Sequence, residues 1–474
     1  MRDDQEKAIS RPFVLPALLV ASEALYLLLG RLEPGNGRGD VLSFLAIIAA
    51  LFALYGLAWH FASKQKAGRR EVRLIFLGAI LFRLTLVPAG LPASTPLQGI
   101  PDLLIRDLTG RETVFDSHLL YDSDHWRYLW DGRVGASGIN PYELPPSDAG
   151  LDSLATDRGA GGVWNDIRQN INHPELTTIY PPVAQLFFQG LYIVAPGSIV
   201  TLKLSLIVCD LFTMLLLALA LARLGRSQAW LLLYGWNPLV VKVFAGSAHF
   251  DGLMVLLLAA MLYALTSRRR YIAAICFAAA VGVKLAPIVM LPAVVRRVGW
   301  PAITVSLALV ALLFLPWQLE ISATAGARAF ATAWEFNSGV FQLIKLLFSA
   351  LSDPSRWARL TSGILALAAI AWVTWKDRLT IDFLSTAALL PLGTILLAGP
   401  VLMPWYVTWT LPFAVVSGRI FWFQLSAIVN LAFFVMIDGS ESMSVLMIEL
   451  LAIGLFLLPG RKARNNRWEE LSQE

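Results

Sequence analysis

Residues 121–133 read YDSDHWRYLWDGR, with three aspartates, two arginines and two tryptophans in thirteen positions. The chain around them is 57% hydrophobic and 15% charged over 474 residues, with a mean hydropathy of +0.63. A soluble domain carries about 25% charged residues, so this polar stretch belongs to a protein that crosses the bilayer many times. At 100° per residue, Asp124, Arg127, Tyr128 and Asp131 share one face of a helix, and Trp126, Leu129, Trp130 and Val134 share the other. Tryptophan favours the headgroup level, so the helix is expected along the outer membrane surface, polar face toward the protein. Gly135, Gly138 and Asn-Pro-Tyr (140–142) mark its end, because proline cannot continue a helix. The plainer alternative is an interfacial helix whose aspartates and arginines only pair with one another.

A spanning helix needs ~20 mostly apolar residues. The candidates are 13–30, 41–63, 72–93, 198–222, 228–246, 249–267, 299–317, 358–375, 380–398, 420–437 and 443–459, with shorter or interrupted ones at 271–283, 285–297 and 405–418. Two further apolar stretches, 179–196 and 338–351, read as re-entrant or interfacial helices. Lys and Arg in short loops stay cytoplasmic. The basic clusters are Arg2/Lys7/Arg11, KQKAGRREVR (64–73), Arg223/Arg226, RRR (268–270), Arg296/Arg297, Lys376/Arg378, Arg419 and RKARNNR (461–467). With the two doubtful stretches unspanned, all of them fall on one side, and they hold 22 of the 38 basic residues. The expectation is an all-α bundle of about 13–14 transmembrane helices with both termini cytoplasmic. The net charge of +5 is then a topology signal and not a nucleic-acid footprint. No cleavable signal peptide is expected in the charged N-terminus. Cys209 and Cys276 lie in apolar segments, which speaks against a disulfide or a thiolate metal site.

The outer face receives one long loop, 94–178, with thirteen Asp and Glu against six Arg and no Lys. Other polar motifs map to the same side. INHPELTTIYPP (171–182) leads back into the membrane, and WNPLVVKVFAGSAHFDGL (236–253) puts His249 and Asp251 at an outer helix start. Lys284 sits at the tip of the hairpin VGVKLAP (281–287), while EFNSGVF (335–341) and MPWYVTW (403–409) also face outward. Proline kinks and an aromatic belt of Trp405, Tyr406 and Trp409 would explain some of these without function. A lysine within an apolar hairpin is harder to explain so, because intramembrane charges usually mark a ligand or pathway. Lys284 with His249 near a helix N-terminus suits an anionic phosphate. Arg83, inside the third span, either pairs with an acid or snorkels. A divalent metal held by Asp122, Asp124 and His125 lacks a specific spacing, so no metal or other cofactor is expected. Walker, Rossmann, nucleophile-elbow and HExxH patterns are all missing from the sequence.

SDHWRYLWDGRVGASGINPY (123–142), NHPELTTIYPPVAQLFF (172–188), WNPLVVKVFAGSAHFDGL, KLAPIVMLP (284–292), FNSGVF and PWYVTW together resemble, in order, the motifs of bacterial polyprenyl-phosphate-mannose-dependent mannosyltransferase-like enzymes of the GT-C fold. The resemblance covers roughly 72–460. It implies a GT-C-like core over 72–474 that includes loop 94–178, preceded by two additional helices over 1–71. It also implies an aspartate general base in the first long outer loop, a polyprenyl-phosphate sugar donor and inversion at the anomeric carbon. Asp124 aligns with the second of the family's paired aspartates and is the expected base, with Asp122 next. Here Ser123 splits the pair. Where relatives often carry an acid after NPLV, this chain has Lys242, which puts the identity of the sugar or acceptor in question.

The expected reaction moves a sugar, mannose first, from the lipid phosphate to a hydroxyl of an extracytoplasmic glycan or glycolipid. Lys284, His249, Asp251, Arg127, Tyr128, Asp131, Tyr180, Gln185, Asn337, Trp405 and Tyr406 are the expected donor-phosphate and substrate residues. The protein would sit in a bacterial inner membrane with its site facing outward. The competing readings are the same fold with galacturonic acid or a pentose, or a lipid-linked sugar flippase. A flippase would call for polar residues through the full membrane depth and repeat symmetry, whereas here polar motifs concentrate on one face.

Overall fold

The computed structural model describes residues 13–434 except 33–37, 65–67, 111–113, 116–117, 157–161, 314, 316–324 and 377–380, and beyond 434 only 447–448, 450–451 and 454. Among the described residues the secondary structure is helical, with no β-strand. The chain is an all-α polytopic membrane protein. Three helices among the described residues are long and apolar enough to cross a membrane: α2 (Arg38–Ala62), α8 (Ile199–Arg223) and α15 (Pro354–Lys376). The shorter apolar helices include α1 (Val14–Leu29), α9 (Asp251–Thr266), α10 (Arg270–Val283) and α12 (Trp300–Leu312). The expected span 443–459 lies almost wholly outside the described residues.

Where the structure departs from continuous spans, a polar device is at work. The stretch 72–93 stops being helical at the end of α3 (Arg69–Thr85). There Lys203 of α8 donates to the carbonyls of Leu86 (3.3 Å), Val87 (3.0 Å) and Ala89 (2.5 Å), so a cation meets the negative end of the α3 dipole. Arg83 neither snorkels nor reaches a ligand. Its Nε pairs with Asp210 of α8 at 2.6 Å, and its Nη1 donates to the Ala79 and Gly235 carbonyls. Tyr234 donates to the other Asp210 oxygen at 2.6 Å. The stretch 228–246 is broken into Trp230–Gly235, Pro238–Val241 and a π-turn, Lys242–Gly246. Asn237 caps the middle piece through the amides of Leu239 and Val240, and Pro238 follows where its missing N–H costs nothing.

The stretch 179–196 forms α7 (Pro182–Val194), thirteen residues or ~20 Å, and 338–351 yields α14 (Gly339–Leu347), ~14 Å. Both fall short of the ~30 Å hydrocarbon core. The long loop 94–178 contributes α4 (Ile100–Leu108), α5 (Asp124–Ala136) and α6 (Val163–Gln169). Asp107 at the end of α4 accepts from Ser198 Oγ (2.7 Å) and from the amides of Ile199 and Val200, which ties the loop to the N-terminus of α8.

The placement of α5 corrects one expectation. Trp126 and Trp130 are each only 1% exposed, so they face protein and not the lipid headgroups. Every residue of the helix from His125 to Gly135 is buried. One side packs on α7 so closely that a Cβ on Gly132 would come 2.4 Å from the Phe188 carbonyl oxygen. The tryptophan side is covered by the loop itself, with Arg168 over the Trp130 ring and Arg133 over the Trp164 ring at 4.3 Å.

Candidate active site

Six non-glycine residues hold positive φ among the described residues, namely Leu120, Tyr121, His173, Ala248, Arg268 and Asn337. Each such residue costs of order 1–2 kcal/mol. Four of them flank three side chains that meet at one point. Leu120 and Tyr121 precede Asp122, Ala248 precedes His249, and His173 follows Asn172. The turn before α5 is held by Leu119 N–H to Asp122 O (2.7 Å) and by Ser247 Oγ to Leu119 O (3.0 Å). It thereby joins the segment carrying Asp122 to the segment carrying His249. The π-turn 242–246 ends at Ser247, and His249 N–H reaches back to Val243 O at 3.0 Å. π-Turns of this kind recur at functional sites.

At the meeting point Asp122 Oδ2 is in direct contact with His249 Nε2, and Asp122 Oδ1 accepts from the Asp124 amide at 3.1 Å. Asp124 begins α5. Its Oδ1 accepts from Asn172 Nδ2 at 2.8 Å, and its Oδ2 lies 3.5 Å from Tyr128 Oη and 4.0 Å from His249 Nε2. Tyr128 Oη is also 3.1 Å from His249 Nδ1, so phenol and imidazole link the two aspartates. The His249 ring stacks on Trp405 at 4.0 Å between centroids. Asp122 and His249 side chains are 2% and 1% exposed, whereas Asp124 keeps 25% of its side chain open.

The two carboxylates differ in charge behaviour. Burial pushes the Asp122 carboxyl up, but the charge and hydrogen bond of His249, with Lys242 behind, outweigh it and bring it to about 2. Burial, and then repulsion from Asp122, raises the Asp124 carboxyl above its ordinary value, with His249, Asn172 and Lys284 offsetting part of the rise. Paired groups with opposed shifts are the pattern by which acid–base sites divide their roles.

A second ionic group adjoins the first. Lys284, at the C-terminal end of α10, donates to both Asp251 oxygens at 2.9 and 3.2 Å, and Trp409 Nε1 donates to Asp251 Oδ1 at 2.5 Å. The Lys284 ammonium lies over the Tyr406 and Trp409 rings at 4.6 and 4.8 Å and keeps 21% of its side chain exposed. A cavity of about 160 Å³, lined by Phe330, Ile395, Val401, Tyr406 and Trp409 among others, opens beside it.

Of the residues singled out by sequence, Asp122, Asp124, Tyr128, His249, Asp251, Lys284, Trp405 and Tyr406 are brought together. Arg127, Asp131 and Gln185 instead face one another. Arg127 Nε meets Asp131 Oδ1 at 2.7 Å, Gln185 Nε2 meets Asp131 Oδ2 at 3.2 Å, and Arg127 Nη1 donates to Leu176 O. Tyr180 packs edge-on against Tyr128, Phe188 and Phe250. Asn337 is fully buried and donates to Leu402 O at 3.1 Å, apart from the aspartates. Sequence reasoning passed over Asn172 and Trp409 as individual site residues; each lay inside a motif it quoted. Asp122, Asp124 and His249 have ligand atoms within 4.8 Å of one another and could hold a metal ion. His125 is not part of that set: it is fully buried beside the Trp126 ring.

Residues 119–299 match the model of the MptA_B family, described as alpha-(1->6)-mannopyranosyltransferase, N-terminal domain. The chain is mannosyltransferase-like over that stretch. The matched segment holds Asp122, Asp124, Asn172, His249, Asp251 and Lys284, while Trp405, Tyr406 and Trp409 lie beyond it. No curated protein matches the chain.

Proposed function

We propose that this protein is a membrane mannosyltransferase that moves mannose from a polyprenyl-phosphate donor to a hydroxyl of an extracytoplasmic glycan or glycolipid. The observation that carries the reading is the unequal aspartate pair. Asp124 is partly open and raised above the ordinary carboxylate value, with His249 no nearer than 4.0 Å, while Asp122 is sealed against His249. A general base must reach within about 3 Å of the proton it takes and typically contributes 10²–10⁴-fold. Asp124 meets the requirement of access, and Asn172 and Tyr128 fix its carboxylate.

In the reaction the acceptor hydroxyl loses its proton to Asp124 and its oxygen bonds to the anomeric carbon. The bond from that carbon to the phosphate oxygen breaks, and the phosphodiester leaves as a monoester. A single displacement inverts the carbon. Negative charge grows on the departing phosphate, so preorganised cations stabilise the transition state more than the ground state. Lys284 and His249 are cations whose charge is felt at Asp124, and the apolar cavity beside Tyr406 and Trp409 suits the first part of a lipid chain. A lipid-borne activated sugar needs no nucleotide-binding fold. With the basic clusters cytoplasmic, the site faces outward from a bacterial inner membrane and both termini face inward. The flippase reading is disfavoured because the buried charges Arg83, Asp210 and Lys203 are each held by fixed protein partners.

The test is transfer of radiolabelled mannose from polyprenyl-phosphate mannose in membranes carrying wild type or Asp124→Asn. Asn keeps the side chain's shape and removes its basicity, so the expected loss is 10²–10⁴-fold in kcat. Full activity in that variant would remove Asp124 from the reaction.

A further inference from the structure

Just outward of Asp124 lies an arrangement that base and phosphate chemistry does not use. Asn172, which holds Asp124 Oδ1, is followed by His173 in a left-handed conformation at φ 52°. The His173 ring lies 4.6 Å from the Trp334 ring, and Trp334 lies 5.0 Å from Phe330. His173 is 49% exposed and the indole is half-buried, so the group is an open aromatic ledge and not core.

The ledge is built from both sides. Helix α13 (Ala325–Ala333) is pinned at its start where Gly326 N–H donates to Thr177 Oγ1 at 3.2 Å, and a Cβ on Gly326 would sit 2.3 Å from Thr177 O. At its end Arg359 donates to the carbonyls of Ala331 and Trp334, both at 3.1 Å, and is itself drawn to Glu335. Loop 171–178 and α13 are thus locked together across the ledge. Exposed Asn172 and Glu175 fringe it with an amide and a carboxylate, Glu175 lying 3.4 Å from His173 Nδ1. An aromatic face for C–H groups, edged by hydrogen-bonding side chains, is the chemistry that holds a pyranose ring.

We propose that Trp334 and His173 form the acceptor-sugar subsite, holding the accepting pyranoside so that its free hydroxyl meets Asp124. The assignment rests on the mannosyltransferase reading. It gives the acceptor to the aqueous side of the base, while the donor phosphate takes the side of Lys284 and Tyr406.

The experiment uses the full chain in detergent, with polyprenyl-phosphate mannose as donor and α-1,6-mannobiose as acceptor probe. Trp334→Ala is expected to raise the acceptor KM on the order of tenfold, with kcat and donor KM held. Trp334→Phe, which keeps an aromatic face, is expected to restore most of the affinity and guards against a folding defect. An unchanged acceptor KM, or a rise in donor KM instead, overturns the subsite while leaving the transferase reading in place. If wild type transfers no mannose, the transferase reading is what fails. Saturation transfer from the protein to mannobiose then decides the subsite alone: a signal in wild type that Trp334→Ala abolishes retains it, and no signal in wild type removes it.

Discussion

Asp122 and Asp124 stand two positions apart, and the fold gives them opposite electrostatic surroundings through what touches each. Asp122 is buried against an imidazole, so its carboxylate is held as a fixed negative charge. Asp124 feels that charge and binds its proton more tightly for it. The sign of one substitution follows. A base must be ionised to act, so activity falls as pH drops through the Asp124 value. Asp122→Asn removes the repulsion, lowers that value, and should shift the acid limb of kcat/KM to lower pH while activity at the plateau persists. Were Asp122→Asn as inactive as Asp124→Asn across the whole pH range, Asp122 would be the base. Metal dependence is decided by the same contacts. His249 already supplies positive charge between the aspartates, and a divalent ion held by the three residues would have to displace its proton. Transfer activity is therefore expected to survive dialysis against a chelator, and a loss restored by one added divalent metal would turn the three residues into ligands. That the two aspartates stand at the start of an amphipathic helix was legible in the sequence. That the two differ was not, because the difference comes from His249, more than a hundred positions away.

Helix α5 shows how far periodicity reaches. Its two faces were readable at 100° per residue, and Asp124, Tyr128 and Asp131 do lie toward polar partners. What covers the other face was not readable, because an apolar stripe packs equally well on lipid or on protein. Here Trp164, Arg168 and their loop cover it, and the tryptophans pack against protein. The glycines record this. Gly132 lies where α5 and α7 come closest, and a methyl there would meet the Phe188 carbonyl at 2.4 Å, a backbone atom that cannot swing aside. Gly132→Ala should therefore destabilise the protein by about 1–3 kcal/mol, read as a lowered thermal midpoint in detergent. Gly190 on the facing α7 has nothing within 4 Å of its missing Cβ. Gly190→Ala should raise helix propensity and stability by about 0.5–1 kcal/mol. Equal effects from the two would mean that the helices are not in the contact described. The left-handed residues before Asp122 and His249 gave no advance sign, since none is glycine.

Hydropathy located the helical segments well because lipid solvation enforces it, and α2, α8 and α15 follow their expected spans closely. It failed where protein replaces lipid as the surroundings. The stretch 228–246 is as apolar as any span, yet nearly all of it is enclosed by other helices, and there the backbone breaks into short pieces and a π-turn that delivers His249. Orientation rests on a different principle, the retention of Lys and Arg on the cytoplasmic side, and it carries the proposed direction of the whole site. The loops on either side of the span formed by α8 are therefore the place to examine it. Ser153, exposed in the acidic outer loop, and Ser227, exposed beside Arg223 and Arg226, belong to opposite faces on this reading. With Cys209 and Cys276 replaced by alanine, Ser153→Cys should react with a membrane-impermeant maleimide in intact spheroplasts. Ser227→Cys should react only after the membrane is opened. The reverse pattern would place Asp124 in the cytoplasm, where a donor facing outward could not reach it. Labelling of both in sealed cells would mean that the segment between them does not cross the bilayer once, and the count of spans would change with it.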